Sequence, residues 1–385
     1  MRFFSATFFI NFDWMSLLKK IIKSTALACV ALNVVFFSGC GLTGQPRPRC
    51  GSYPASSLGS KFLDIDSLGK HSYGPGLSEH NGLVYTSRGG HIDIAHLRIA
   101  ADNVRALYYK TREHLLNGDC EFTFKLNVEP SRYYVELQYP EYWSTLSPQF
   151  REKIADKLAL DLSQYFTYTM TTWHEVLTWF GFKCVFFLPE KSSAFSWEDI
   201  YSNLLGTRLG AQALQDKRYG FDEAMTILLE EELKGLRIQS RETARQAARQ
   251  IKEKRFDGGL FLNMTRSMDI GLYDGIVTPV LASGVCVGAE PKSYPVPSLD
   301  ILKKYGFAMS LEIAPKEFES GKILKVIYPN GGGKKIRPAE HLPIVMDYIK
   351  KDAVKKGFAA RPTEVLTVSS YSVSQGSDAG AAPNL

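Results

Sequence analysis

Two short stretches hold most of the residues that could do chemistry. Ser87-Arg88-Gly89-Gly90-His91-Ile92-Asp93-Ile94-Ala95-His96-Leu97-Arg98 packs two histidines, an aspartate and two arginines into twelve positions. Thr172-Trp173-His174-Glu175 adds a second histidine–acid pair, so the two stretches contain three of the seven histidines. On a helix, Asp93 and His96 project to one side and reach a common ligand. In an extended backbone, His91 and Asp93 share a face instead. Asp93, His96 and His174 are the ligand types of a hydrolytic zinc centre, leaving one coordination position for water and Glu175 to take the proton. A metal-free alternative needs a nucleophile beside a histidine. Ser87 stands at a strand end before the Gly pair, but no G-x-S-x-G pattern surrounds it.

Each of these residues also has a plain structural reading. Asp93 is a good helix N-cap, and His96 falls at the third helical position. His174 suits a core-edge histidine bonded to a carbonyl, with Glu175 solvated. The run His174-Glu175-Val176-Leu177-Thr178 begins like the zincin His-Glu-x-x-His helix, but Thr178 stands where the second histidine belongs, so that motif fails. Arg88 and Arg98 suit a carboxylate or phosphate ligand, or ion pairs with Asp93 and Asp102. Trp173, Trp179, Trp197 and a Tyr-rich hairpin could line a groove for a peptide, glycan or lipid, although such residues more often form core. Arg241, Arg245 and Arg249 form a row that reads as a solvated helix face. Asn330-Gly331-Gly332-Gly333-Lys334-Lys335 lacks the P-loop spacing and reads as a turn.

The elements that must position these residues follow from periodicity. Leu83 to Thr86 reads as a strand. A helix from about Asp93 to Leu116 buries Leu97, Ala101, Val104, Tyr108 and Leu115, and Asn117-Gly118 stops it. Residues 121–139 alternate as a hairpin turning at Glu129-Pro130-Ser131-Arg132. Ser147-Pro148 starts a helix running to Phe180. Residues 183–188 read as a buried strand. Ser196-Trp197-Glu198-Asp199 resembles a capping box opening a helix to Leu214, in which Ser202, Gly206 and Gly210 share a face suited to close backbone approach. Two charged helices cover about 221–233 and 240–254. Strands are expected at 259–263, 275–287 and 307–314, and a basic amphipathic helix at 338–356. Irregular alternation of helix and strand predicts an α+β fold, with long helices packed on small antiparallel sheets. The globular part is taken as 81–357, with a sub-boundary near 255. Residues 40–80 read as a Gly/Pro/Ser-rich tether and 358–385 as a disordered tail.

The N-terminal end supplies an address. From Met15, a plausible true start, a basic segment precedes the apolar run Ala26–Phe37, which ends Ser38-Gly39-Cys40. Small residues before a cysteine resemble the bacterial lipobox. The expectation is a signal peptide at 1–39 and palmitate-type acylation at Cys40. Gly41 favours sorting to the outer membrane of a Gram-negative cell, with the domain facing the periplasm. The run is too short to span a bilayer, which needs ~20 residues. Residues 1–39 contribute Arg2, Lys19, Lys20 and Lys23 against Asp13, leaving 42 basic and 39 acidic residues. That weak, dispersed balance argues against a nucleic-acid partner. In an oxidising compartment Cys50, Cys120, Cys184 and Cys286 could form one or two disulfides.

Taken together, residues 88–98, 172–175 and Ser193-Ala194-Phe195-Ser196-Trp197-Glu198-Asp199-Ile200-Tyr201-Ser202-Asn203-Leu204-Leu205-Gly206 resemble a bacterial exported family, the domain of unknown function 4056 (DUF4056), over roughly residues 50–355. The resemblance brings no activity or fold with it. It adds Ser202 and Asn203 to the residues of interest. The functional expectation is a cell-envelope lipoprotein with a His/Asp/Glu pocket, a metal-dependent hydrolase of envelope material. In that reading Glu175, His91, Ser87 and Asn203 are the catalytic candidates, and Asp93, His96 and His174 hold the metal. The alternative is a non-catalytic periplasmic binding or envelope-structural lipoprotein.

Overall fold

The computed structural model describes residues 46, 47, 49, 61–74, 76, 78–126, 129–182, 193–251 and 266–356. The signal segment, Cys40, the segments expected as strands at 183–188 and 259–263, and the C-terminal tail lie outside these residues.

Three helices form the centre. Helix α1 (Ile94–Asn117) and helix α2 (Pro148–Phe180) begin at the residues their caps require. Asp93 accepts from Ala95 N and His96 N, and Ser147 accepts from Phe150 N with Pro148 at the first position. Gly118 and Gly181 close them in the left-handed conformation. Helix α3 (Asp199–Gln215) packs on α1 through the small-residue face expected for it. A Cβ on Gly206 would stand 2.0 Å from the carbonyl oxygen of Leu97, so only glycine lets the two backbones meet there. Ser202, one turn earlier, accepts from Asp93 N at 2.9 Å.

Ahead of α1, β1 (Leu83–Thr86) and β2 (Gly90–Asp93) form an antiparallel hairpin. The sequence reading assigned β1 and treated the Gly pair as a break; the chain turns back there instead. Gly90 allows it with φ of +64°, and a Cβ would lie 2.1 Å from Val280 O. The expected hairpin is present as β3 (Glu121–Phe124) and β4 (Arg132–Gln138). Helices α4 (Phe221–Gly235) and α5 (Arg241–Ile251) follow α3. Beyond them lie the short pair β5 (Ile276–Val277) and β6 (Tyr294–Pro295), then α6 (Asp300–Lys304) and β7 (Ala308–Ala314). Strand β7 joins the hairpin as a third antiparallel strand, with Val135 opposite Leu311. Helices α7 (Ser320–Ile327) and α8 (Pro338–Lys355) end the fold. Eight helices and antiparallel sheets of two or three strands among the described residues make this an α+β protein.

Two expectations are corrected. Residues 61–74, 76 and 78–80 are part of the fold, not a tether. Leu63 and Leu68 are buried in the main core, and Leu63 N bonds to Leu83 O. Arg49 reaches Asp102 and Glu79, and His71 meets Asp102 at 3.0 Å. Gly- and Ser-rich composition signals irregular backbone, which is compatible with tight packing. The strand expected over 275–287 shrinks to two residues, because Gly284, Cys286 and Gly288 all take positive φ. Val280, Ala282 and Val285 instead fill a second apolar cluster with Tyr85 and Trp197. Cys120 and Cys286 are free thiols, whereas Cys50 and Cys184 lie outside the described residues. Among the described residues no helix is long and apolar enough to cross a membrane.

Candidate functional site

The N-termini of α1 and α3 meet beside the C-terminal half of α2. Asp93, besides capping α1, holds its second oxygen 3.2 Å from Nδ1 of His96. Asp199, in the first turn of α3, approaches the same nitrogen at 3.3 Å. Its other oxygen accepts from Ser196 N at 2.9 Å and Ser196 Oγ at 2.8 Å, the acid half of the capping-box pattern. Glu198 takes the Ser196 hydroxyl on Oε1, leaving its buried Oε2 without a hydrogen bond. From α2, Glu175 Oε2 accepts from Phe195 N at 2.7 Å. That bond fixes Phe195 at φ of +55°, a conformation unusual for a bulky residue. His174 turns the other way, to Glu129, with Nδ1 2.5 Å from Oε1.

Glu129 sits in the turn between β3 and β4, whose geometry is set from the C-terminal part of the chain. Glu317, after β7, accepts from Ser131 N at 2.8 Å and Ser131 Oγ at 2.7 Å, and Ser131 in turn accepts from Trp173 Nε1. Five carboxylates (Asp93, Glu129, Glu175, Glu198 and Asp199) therefore stand behind two imidazoles. The carboxylate side chains of Asp93, Glu129 and Asp199 are at most 4% exposed, while His96 and His174 are 22% and 25% exposed. The imidazoles form the mouth of the site and the acids its floor. Nδ1 of His96 is buried and, though near both acids, makes no hydrogen bond with the described residues; neither Nε2 atom has a partner among them, and neither is sealed from solvent. Oε1 of Glu175 is in the same position.

The electrostatics follow from this layering. Burial alone would push His174 down, but its hydrogen bond to Glu129 and that group's charge outweigh it, lifting the imidazole to about 9. His96 is likewise raised well above the usual histidine value, because Asp93 and Asp199 outweigh burial. The charge of Glu175 raises both rings, and the rings are close enough for His96 to oppose protonation of His174. Among the acids, burial raises Glu198, helped by the charge of Asp199; burial and Glu175 raise Asp199. Burial also raises Glu129, more than His174 lowers it.

Asp93, His96, His174 and Glu175, anticipated from sequence, are thus brought together. The zinc centre expected of Asp93, His96 and His174 does not fit. Among the described residues no group of three or more His, Cys, Asp or Glu side chains is arranged to hold a metal ion. Asp93 spends its oxygens on the helix cap and on His96, and His174 is turned toward Glu129.

His91 faces elsewhere. Its Nε2 lies 2.9 Å from Ala244 O and its Nδ1 accepts from Trp197 Nε1 at 3.1 Å, so both nitrogens hold the second apolar cluster together. Ser87 is buried, its Oγ has no hydrogen-bond partner among the described residues, and no imidazole is within reach to activate it. Asn203 lies one turn after Asp199 on the same side of α3 and is 3% exposed. Arg98 is fully buried but donates to the carbonyls of Leu68, Gly69 and His80, not to Asp93 or Asp102.

Glu129, Asp199, Glu198 and Glu317 escaped the sequence reading as site residues. The first was read as a turn residue and the next two as a cap. The signal available was three acid-containing pairs, Asp93/His96, His174/Glu175 and Glu198/Asp199, each at a helix start or in an apolar helix.

No curated protein and no solved structure matches the chain. Residues 54–260, more than half of the 385, match the family described as "Protein of unknown function (DUF4056)", and the chain belongs to that family.

Proposed function

We propose that this chain is a lipoprotein of the Gram-negative outer membrane, anchored through Cys40 and facing the periplasm, that hydrolyses envelope material by general acid–base chemistry at His96, His174 and Glu175. One observation supports the reading above the others. Two partly exposed imidazoles each face buried carboxylates at Nδ1, His174 hydrogen-bonded to Glu129 and His96 within ion-pair distance of Asp93 and Asp199, and the charge of Glu175 acts on both rings. At His174 a proton held on Nδ1 by Glu129 fixes the tautomer and aims the other nitrogen. Each imidazolium Nε2–H then serves as an acid for a leaving group, and Glu175 serves as the base for an attacking water.

A specific observation favours the non-catalytic alternative. The carboxylates also have structural duties: Asp93 caps α1, Asp199 holds Ser196, and Glu175 holds Phe195. Purified full-length protein assayed against peptidoglycan fragments, phospholipids and glycolipids separates the two. A hydrolase loses roughly 10²-fold or more of its rate in His96→Ala, His174→Ala and Glu175→Gln while keeping its fold. No turnover of any envelope substrate, or equal rates in all three variants, removes the catalytic reading. Elemental analysis of the same preparation is expected to find no stoichiometric metal. Palmitate labelling is expected in the native chain and absent from Cys40→Ser.

A further inference from the structure

Well apart in chemistry from the imidazole site, a cavity of about 200 Å³ opens between α2, α3 and the segment around β6. Asp161 and Gln164 of α2, Arg208 of α3, and the run Pro295-Val296-Pro297-Ser298 line it. The guanidinium carbon of Arg208 lies over the Tyr294 ring, 4.4 Å from its centre. Tyr294 is itself fixed, since its hydroxyl donates to Glu232. The Arg208 nitrogens form no hydrogen bond or ion pair with any described residue. The carboxylate of Asp161 has no hydrogen bond or ion pair either, and burial alone raises its pKa. Gln164 spends its amide N–H on Leu160 O, leaving its carbonyl oxygen for the cavity.

Arg208 and Asp161 line one cavity, both partly exposed, without pairing with each other. Other cations in this molecule do meet acids: Arg49 with Asp102, Arg112 with Asp156, Lys292 with Glu232. Here the two groups stand on facing helices with space between them. A ligand carrying both charges would satisfy both groups at once.

We propose that this cavity binds a small zwitterion, a free α-amino acid of about alanine's size. Its carboxylate is received by the planar fork of Arg208. Its ammonium donates to Asp161 and to the carbonyl of Gln164, and its side chain rests against Pro295, Val296 and Pro297. The volume supports the size, because pockets for drug-sized ligands begin at roughly 300 Å³. The proposal does not depend on the catalytic reading of the imidazole site.

Calorimetric titration of the full chain with L-alanine, D-alanine, propionate and ethylamine tests it. Saturable binding of at least one alanine enantiomer is expected, with propionate and ethylamine roughly tenfold weaker or worse, each lacking one charge-assisted contact. Asp161→Asn and Arg208→Gln should each weaken alanine by a similar factor with circular dichroism unchanged. Should either variant misfold, the four-ligand comparison on the native chain still decides. Absence of saturable alanine binding overturns the proposal. Equal binding of propionate and alanine also overturns it, since that outcome marks a plain anion site.

Discussion

Held 2.5 Å from Glu129, His174 keeps its proton up to about pH 9, where an ordinary imidazole is already neutral. The consequence for stability has a definite sign. The folded-state value lies above the 6.5 of the unfolded chain, so the stabilisation is complete below about 6.5 and is lost as pH rises through about 9. Proton NMR of the His174 ring should show the raised midpoint. In Glu129→Gln it should fall to 6.5 or below, because burial is then less opposed. The same substitution should flatten the alkaline loss of stability in melts between pH 7 and 10. An unchanged midpoint would show that Glu129 is not the group holding the proton. Pairing and burial are three-dimensional facts: Glu129 is 45 positions from His174, and its local sequence, Glu-Pro-Ser-Arg, describes a turn.

The element that sets the site is the α1–α3 contact. Both helices deliver their first turns, bearing Asp93, His96 and Asp199, to one place because their backbones touch at Gly206. A methyl group there meets the backbone carbonyl of Leu97, which cannot rotate away as a flexible side chain could. Gly206→Ala is therefore expected to cost about 3 kcal/mol in urea unfolding, at the upper end of overpacking penalties. Gly210→Ala, where the nearest atom is 2.8 Å away, should cost less. A loss below about 0.5 kcal/mol for Gly206→Ala, the scale of a neutral surface change, would mean the helices are not locked there. Helix starts and stops, the small-residue face and the β3–β4 hairpin were legible in sequence, because caps, turns and periodicity are local. The β1–β2 hairpin was missed because its Gly pair is compatible with a break or a turn, and packing against Val280 decides between them.

At the scale of the molecule, the family match ends at residue 260, yet the site does not. Strand β7 completes the sheet, and Glu317 braces Ser131 beside Glu129. A chain truncated after residue 260 loses both. It should express as aggregate or show a non-cooperative melt by circular dichroism, since β4 is left as an open edge and Ser131 as an unsatisfied buried donor. A cooperative melt like that of the full chain would show that the matched span folds alone.

Local chemistry settled much about this protein: its α+β class, where its principal helices begin and end, and which histidine–acid pairs were worth following. The tertiary structure alone decided the rest. It brought Asp93, His96, His174 and Glu175 to one place, sent His91 to the core, added Glu129 and Asp199, and packed Leu63 and Leu68 of a supposed tether into the domain. The physical reason is that propensity and capping act over a few residues. Charge pairing and close backbone approach act between residues that are distant in the chain and neighbours only once it has folded.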